Sequence, residues 1–223
     1  MSAHTIFGLG NGHRIDLLNP CAADYADMDW QAEHLAKENR YNGSTIGKCY
    51  SVAEHAVRCA DAAYEATKDL TLAGYLLLHD NHEALLKDET TPKKRALAEL
   101  ATEHFGVLAE NVLQVFKLLE YRHDLAIHTA AGMPWPPAPE MQIQIKHWDD
   151  RLLVTEWRDL MRAIDHPCWE PYKHIPPLPF RIKPYPHWKM AKWKYLDACK
   201  LYLPSKHKGY QVTDGSASCA PQG

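Results

Sequence analysis

Leu72-Ala73-Gly74-Tyr75-Leu76-Leu77-Leu78-His79-Asp80 is the stretch from which the rest of the chain can be read. An uncharged, greasy helix runs directly into a histidine and an aspartate. A polar pair at the end of such a helix needs a reason to be there, because burying unpaired polar groups is costly. A neutral imidazole nitrogen beside a carboxylate oxygen makes a suitable first shell for a borderline divalent cation. The competing reading is a structural pair satisfied by its neighbours. Two further acids, Glu83 and Asp88, follow on the same side of the sequence.

Composition narrows the classes. The chain has 223 residues, 46% hydrophobic and 24% charged, the profile of an ordinary globular protein with room for one sizeable domain. Its net charge of −3 argues against a general polyanion binder. No apolar run approaches the length of a membrane span, and Met1 to Thr5 lack the basic-then-apolar pattern of a secretion signal. The six cysteines (Cys21, Cys49, Cys59, Cys168, Cys199 and Cys219) form no C-x-x-C pair. They read as reduced thiols, and the expected location is cytoplasmic, the host's cytoplasm if the gene is phage-borne.

Helical signals dominate from Asp29 onward, after a turn-rich N-terminal segment expected to wrap the domain. Ser51 and Glu54 form a capping box that opens a helix bearing Val52, Ala56, Cys59 and Ala63, with His55 beside that stripe. Thr91-Pro92 reads as an N-cap followed by proline. Further helices are expected over about 107–122, 140–164 and 187–203. Pro167 to Pro186 reads as an extended proline-rich strap. No convincing strand alternation is apparent. The expectation is an all-α, compact single-domain helical bundle over 1–203, with a polar, disordered tail over 204–223.

A mononuclear site on helices draws its ligands from several of them. His55 precedes His79 by about one helix and a turn, so an antiparallel pair of helices can bring them together. Asp149 and Asp150 both sit where a later helix could supply a carboxylate. Asp149 has Ile145, Leu152 and Leu153 as its helical neighbours, whereas Asp150 has Lys146, which favours Asp149 as the inward residue.

With these residues in place the chain resembles the HD-domain phosphohydrolases. It is most similar to their compact nucleotide-cleaving branch of bacterial deoxynucleoside 5′-monophosphatases and phage relatives. The likeness rests on Gly12 to Asp16, Arg40-Tyr41-Asn42-Gly43, Tyr50 to His55, His79 to Glu83, Asp88 and Thr91 to Lys94. It continues through Lys146 to Asp149, Thr155 to Met161 and the stretch around Ile182 to Leu196. The resemblance implies His55, His79, Asp80 and Asp149 as ligands of one divalent transition metal. Co, Mn, Zn or Fe suit this nitrogen-and-oxygen set better than Mg.

It also implies that a metal-activated water attacks phosphorus, with Glu83 as acid/base and Asp88 assisting near the leaving group. Arg40, Tyr41 and Lys94 would bind the substrate, with Lys93 a secondary candidate beside Lys94 in the first turn of its helix. The sequence departs from many relatives after the arginine, where they carry Gly-Gly-His and this chain has Asn42-Gly43-Ser44-Thr45. His82 stands where relatives usually have a small residue, and the expectation for it is a solvent-facing side chain.

The expected substrate is a deoxynucleoside 5′-phosphate, with no nucleic acid or membrane partner and a homo-oligomer conceivable. The alternative within this class is a dATP-type triphosphohydrolase releasing triphosphate. A di-iron HD oxygenase would need further inward histidines, for which His104, His123 and His128 are the candidates. Arg181, Lys183, Lys189, Lys192 and Lys194 interleave with Trp188 and Trp193. That pattern is also found in single-strand binders, but here it reads better as an amphipathic helix with a solvated lysine face.

Overall fold

The computed structural model describes residues 5–162 and 167–204, without the side chains of 167 and 168. A hairpin of β1 (Ile6–Gly8) and β2 (Arg14–Asp16) comes first. There follow α1 (Met28–Lys37), α2 (Val52–Thr67), α3 (Leu70–Leu78) and the short α4 (Glu83–Leu86). Then come α5 (Thr91–Phe105), α6 (Ala109–Ala130), α7 (Pro139–Leu160) and α8 (Trp188–Tyr202). Three 3₁₀ segments, Ala22–Tyr25, Arg40–Gly43 and Pro167–Tyr172, complete the regular structure among the described residues. The protein is all-α apart from the small hairpin.

α3 lies at the centre because it has no polar face to offer. Leu72, Leu76, Leu77 and Leu78 are fully buried, and Asp69 caps the helix by accepting from Thr71 N and Leu72 N at 2.8 and 3.0 Å. Gly74 lets α8 come close: a methyl group at this position would sit 3.0 Å from the carbonyl oxygen of Tyr202. α2 packs against α1, α3, α7 and α8, and α7 also touches α3. The meeting of α2, α3 and α7 positions the site.

The turn that ends α3 is braced from two sides. Asn81 donates to Gln31 Oε1 on α1 at 2.6 Å and accepts from Tyr195 OH on α8 at 2.9 Å. Buried amides satisfied in this way fix a turn more firmly than apolar contact alone. The proline-rich strap lies along α7. Thr155 Oγ1 accepts from Leu178 N at 2.7 Å, Arg158 donates to Leu178 O and Phe180 O, and Asp159 accepts from Ile182 N at 2.8 Å. Leu178 and Ile182 reach the core from this strap.

Several sequence expectations need correction. The N-terminal segment holds the β1–β2 hairpin, whose three-residue strands are too short to show alternation. The cap of α5 is Thr90 rather than Thr91. α6 continues to Ala130, and its second half carries the buried His123, Ile127 and His128. Glu54 does not close its capping box. Its backbone N–H is capped by Ser51 Oγ at 3.2 Å, but its carboxylate accepts from Tyr185 N on the strap. Lys192 is not on the solvated face of α8, since its ammonium bridges Asp29 and Glu33 of α1 at 2.8 and 2.9 Å. Among the cysteines, Cys49, Cys59 and Cys199 are free thiols, whereas Cys21 is disulfide-bonded, contrary to the expectation of reduced thiols throughout. The expected tail lies, beyond Pro204, outside the described residues.

Candidate metal centre

His55, fully buried on α2, donates from Nδ1 to Glu156 Oε1 at 2.6 Å. His79, at the C-terminal end of α3, donates from Nδ1 to the carbonyl of Leu76 at 2.7 Å. A carbonyl can only accept, and so can an ionised carboxylate, so these partners place the ring protons on Nδ1. Both Nε2 atoms are then left as acceptors, and they face one another across 3.2 Å. In these neutral tautomers two lone pairs so placed call for a positive charge between them, a proton or a metal ion.

The carboxylates complete that demand. Asp80 Oδ2 lies 3.3 Å from His79 Nε2 and 3.6 Å from His55 Nε2. Asp149 Oδ1, reaching in from α7, lies 3.3 Å from His55 Nε2 and 3.7 Å from His79 Nε2. Nitrogen and oxygen ligands about 2.0–2.2 Å from a transition metal are separated from one another by about 2.9–3.6 Å. The atoms of His55, His79 and Asp80 match that spacing, and Asp149 Oδ1 matches it toward His55 while lying just beyond it from His79. The group His55, His79 and Asp80 can hold a metal ion, and the Asp149 carboxylate lies beside both histidines. Asp150, the alternative carboxylate, turns away to pair with Lys146.

Charge reinforces geometry. Burial alone pushes both histidines toward the neutral form, but Asp80 and Asp149 hold His79 well above the usual imidazole range. Glu156 and Asp149 likewise raise His55 against burial and the nearby Arg40. Burial would raise Asp80 and Asp149, yet the facing histidines hold both below the usual carboxylate range, with Arg40 adding to the effect at Asp80. The carboxylates thus favour positive charge at the centre, which imidazole protons or a cation can supply.

Arg40 and Tyr41 form one wall. Arg40 donates from Nη1 to Asp80 Oδ2 at 3.1 Å and from Nε to Glu156 Oε2 at 3.3 Å. Tyr41 OH donates to the same Glu156 oxygen at 2.7 Å, and Tyr41 N donates to Asp88 Oδ2 at 3.2 Å. Tyr41 and Asn42 both adopt left-handed backbone, with φ of 58° and 50°. A bulky side chain takes that conformation only where its surroundings hold it, and such strain gathers at functional sites.

Glu83 and Asp88 stand near this wall, Asp88 bonded to it through Tyr41 N. Burial, followed by the charges of Asp80 and Asp88, holds the Glu83 carboxyl well above its ordinary range. Its Oε2 is buried without a partner among the described residues. A carboxyl with a raised pKa and an oxygen that no described donor reaches is suited to proton transfer. Asp88 is raised for the same reasons, burial first and then the charge of Asp80.

Two expectations fare differently. Lys94 pairs with Glu120 on α6, an acid that the sequence reading did not consider. His82 does not face solvent: its Nδ1 lies 2.9 Å from Asp124 Oδ1, and that carboxylate lifts the imidazole to about 9 against the effect of burial. The histidines required by a di-iron site do not converge here. His104 is exposed at the end of α5, His123 bonds Tyr25 and the carbonyl of Leu17, and His128 is stacked against Trp135 and Tyr75.

Glu156, inside the stretch Thr155 to Met161, has no role among the residues expected from the sequence. It is fully buried and touches both His55 and Arg40. Its position two helical turns after Asp149 puts both on one face of α7, and that spacing was the available signal. Compared with protein-family models and with curated proteins, the chain matches none.

Proposed function

We propose that the protein is a divalent-metal-dependent phosphohydrolase of the HD-domain type, acting on deoxynucleoside 5′-phosphates. The observation that carries this reading is the pair of facing Nε2 acceptors enclosed by two carboxylates. His55, His79, Asp80 and Asp149 would hold one Co, Mn, Zn or Fe ion. Such an ion supplies a Lewis acid for a phosphoryl oxygen and lowers the pKa of a bound water.

The chain's own residues supply the rest. The Arg40 guanidinium presents planar donors that match phosphate oxygens, on a wall kept rigid by Glu156 and Asp80. Glu83 Oε2 takes the proton from the attacking water, its basicity raised by burial and by Asp80. Asp88, raised as well, can return a proton toward the leaving oxygen. No helix among the described residues is long and apolar enough to cross a membrane.

Phosphate release measured across nucleoside mono-, di- and triphosphates with Mn²⁺ or Co²⁺ tests the proposal. Orthophosphate from deoxynucleoside monophosphates is the expected product. Triphosphate from dATP or another dNTP would move the assignment to the triphosphohydrolase alternative. No metal-dependent release from any nucleotide would contradict the class.

A further inference from the structure

Both oxygens of the buried Glu156 are committed, and to different parts of the site. Oε1 accepts from the candidate ligand His55 at 2.6 Å, while Oε2 accepts from Tyr41 OH at 2.7 Å and Arg40 Nε at 3.3 Å. Arg40 closes a ring of contacts by donating to Asp80 Oδ2 at 3.1 Å. One carboxylate therefore joins the candidate ligand His55 to Arg40, proposed for the phosphate, and to its neighbour Tyr41. We infer that Glu156 is a positioning residue that couples metal affinity to the pose of the Arg40–Tyr41 arm. The inference rests on the phosphohydrolase reading and extends it.

The physical reasons differ at the two oxygens. At Oε1 the carboxylate fixes the His55 tautomer, leaving Nε2 as the acceptor aimed at the centre; partners of this kind commonly govern metal affinity by 10–100-fold. At Oε2 it anchors a segment whose Tyr41 has φ of 58°, a conformation that needs such an anchor. It also orients the guanidinium plane, so the free edge of Arg40 is set before any anion arrives. No other residue type does both. Glutamine keeps the reach but turns an amide N–H₂ toward one of three donors. Aspartate keeps the charge but is a methylene too short to span them.

The test uses Glu156→Gln and Glu156→Asp, with circular dichroism and thermal unfolding to establish that each is folded. Cobalt is titrated first, read by its visible absorption, and inorganic phosphate second at saturating cobalt. Each folded variant is expected to bind cobalt 10–100-fold more weakly with a changed visible spectrum. It should also bind phosphate roughly tenfold more weakly even with the metal site full. A purely structural Glu156 would lower the unfolding temperature and leave both affinities and the spectrum alone. Wild-type-like cobalt binding in a folded variant overturns the inference, as does wild-type-like phosphate binding at saturating cobalt. If the wild type itself takes up no cobalt, the metal reading fails and takes this inference with it. A wild type that binds cobalt beside an unaffected variant overturns the inference alone.

Discussion

The junction of α2, α3 and α7 and the hairpin of α5 and α6 contrast sharply. At the junction, charged and polar side chains are buried and almost every one is bonded twice: His55, Asp80, Arg40 and Glu156 each hold at least two others. On α5 only Ala98 is buried, while Leu97, Leu100 and Phe105 face outward, as do Leu108 at the N-cap of α6 and Val115 and Leu118 on it. Polar residues are locked inside one region, and apolar residues stand outside in the other. Burying charge is tolerated only with partners in place, so the junction is where the fold concentrates its constraints. The hairpin carries few constraints of its own, and changes there should be felt weakly.

The largest expected effect is at the junction. Asp80→Ala should lower metal-stimulated phosphate release by about three orders of magnitude or more, since the lost ion supplies several kcal/mol of transition-state stabilisation. A steady-state assay with added Mn²⁺ checks this, and retained activity would break the contrast at its centre. Glu83→Gln comes next, with a loss of about 10²–10⁴-fold in turnover and unchanged metal binding. Because burial and Asp80 raise the Glu83 pKa, the ionised base gains population as pH rises. Wild-type activity should therefore climb with pH through a midpoint above the ordinary glutamate value of about 4.3, and the Gln variant should lose that limb.

A third substitution tests the strap against α7. Asp159 accepts from Arg158, Arg181 and the Ile182 backbone, and Asp159→Asn should cost about 2–3 kcal/mol in chemical denaturation. Burial would raise this carboxyl, but the two arginines and the backbone N–H hold it below its ordinary value. Its contribution is therefore full above the unfolded pKa of about 3.9 and fades as pH falls through the lower folded value. The acid-side loss of stability should be shallower in the Asn variant.

The smallest effect belongs to the hairpin. Phe105, 80% exposed, and Leu118 can each become lysine for about 0.5 kcal/mol or less. Hydrogen exchange should show α5 amides opening well below the global free energy, and α3 amides only near it. Equal protection of the two helices would remove the distinction between the regions.

Much of the junction could be read in the sequence because its residues follow helical spacing. The uncharged run before His79 marked the most buried helix, and the apolar neighbours of Asp149 separated it from Asp150. What escaped depends on contacts across the fold. Nothing local to Glu156 reveals that Arg40 and Tyr41 return to it from more than a hundred residues away. His82 looked solvent-facing because Asp124, which holds it, belongs to the half of α6 that the sequence pattern cut short. Lys94 carried a first-turn position suited to an anion, but Glu120 on the neighbouring helix claims it. The β1–β2 pairing escaped because three-residue strands leave no periodicity to detect.

The central claim is that four side chains from three helices and one turn share a single ion. Cobalt titration of the wild type and of Asp149→Ala, read by visible absorption and by metal content after gel filtration, tests it most directly. One ion per wild-type chain, with a large loss of affinity in the variant, is the predicted result. A wild type that binds none, or a variant that binds as tightly as the wild type, would contradict it.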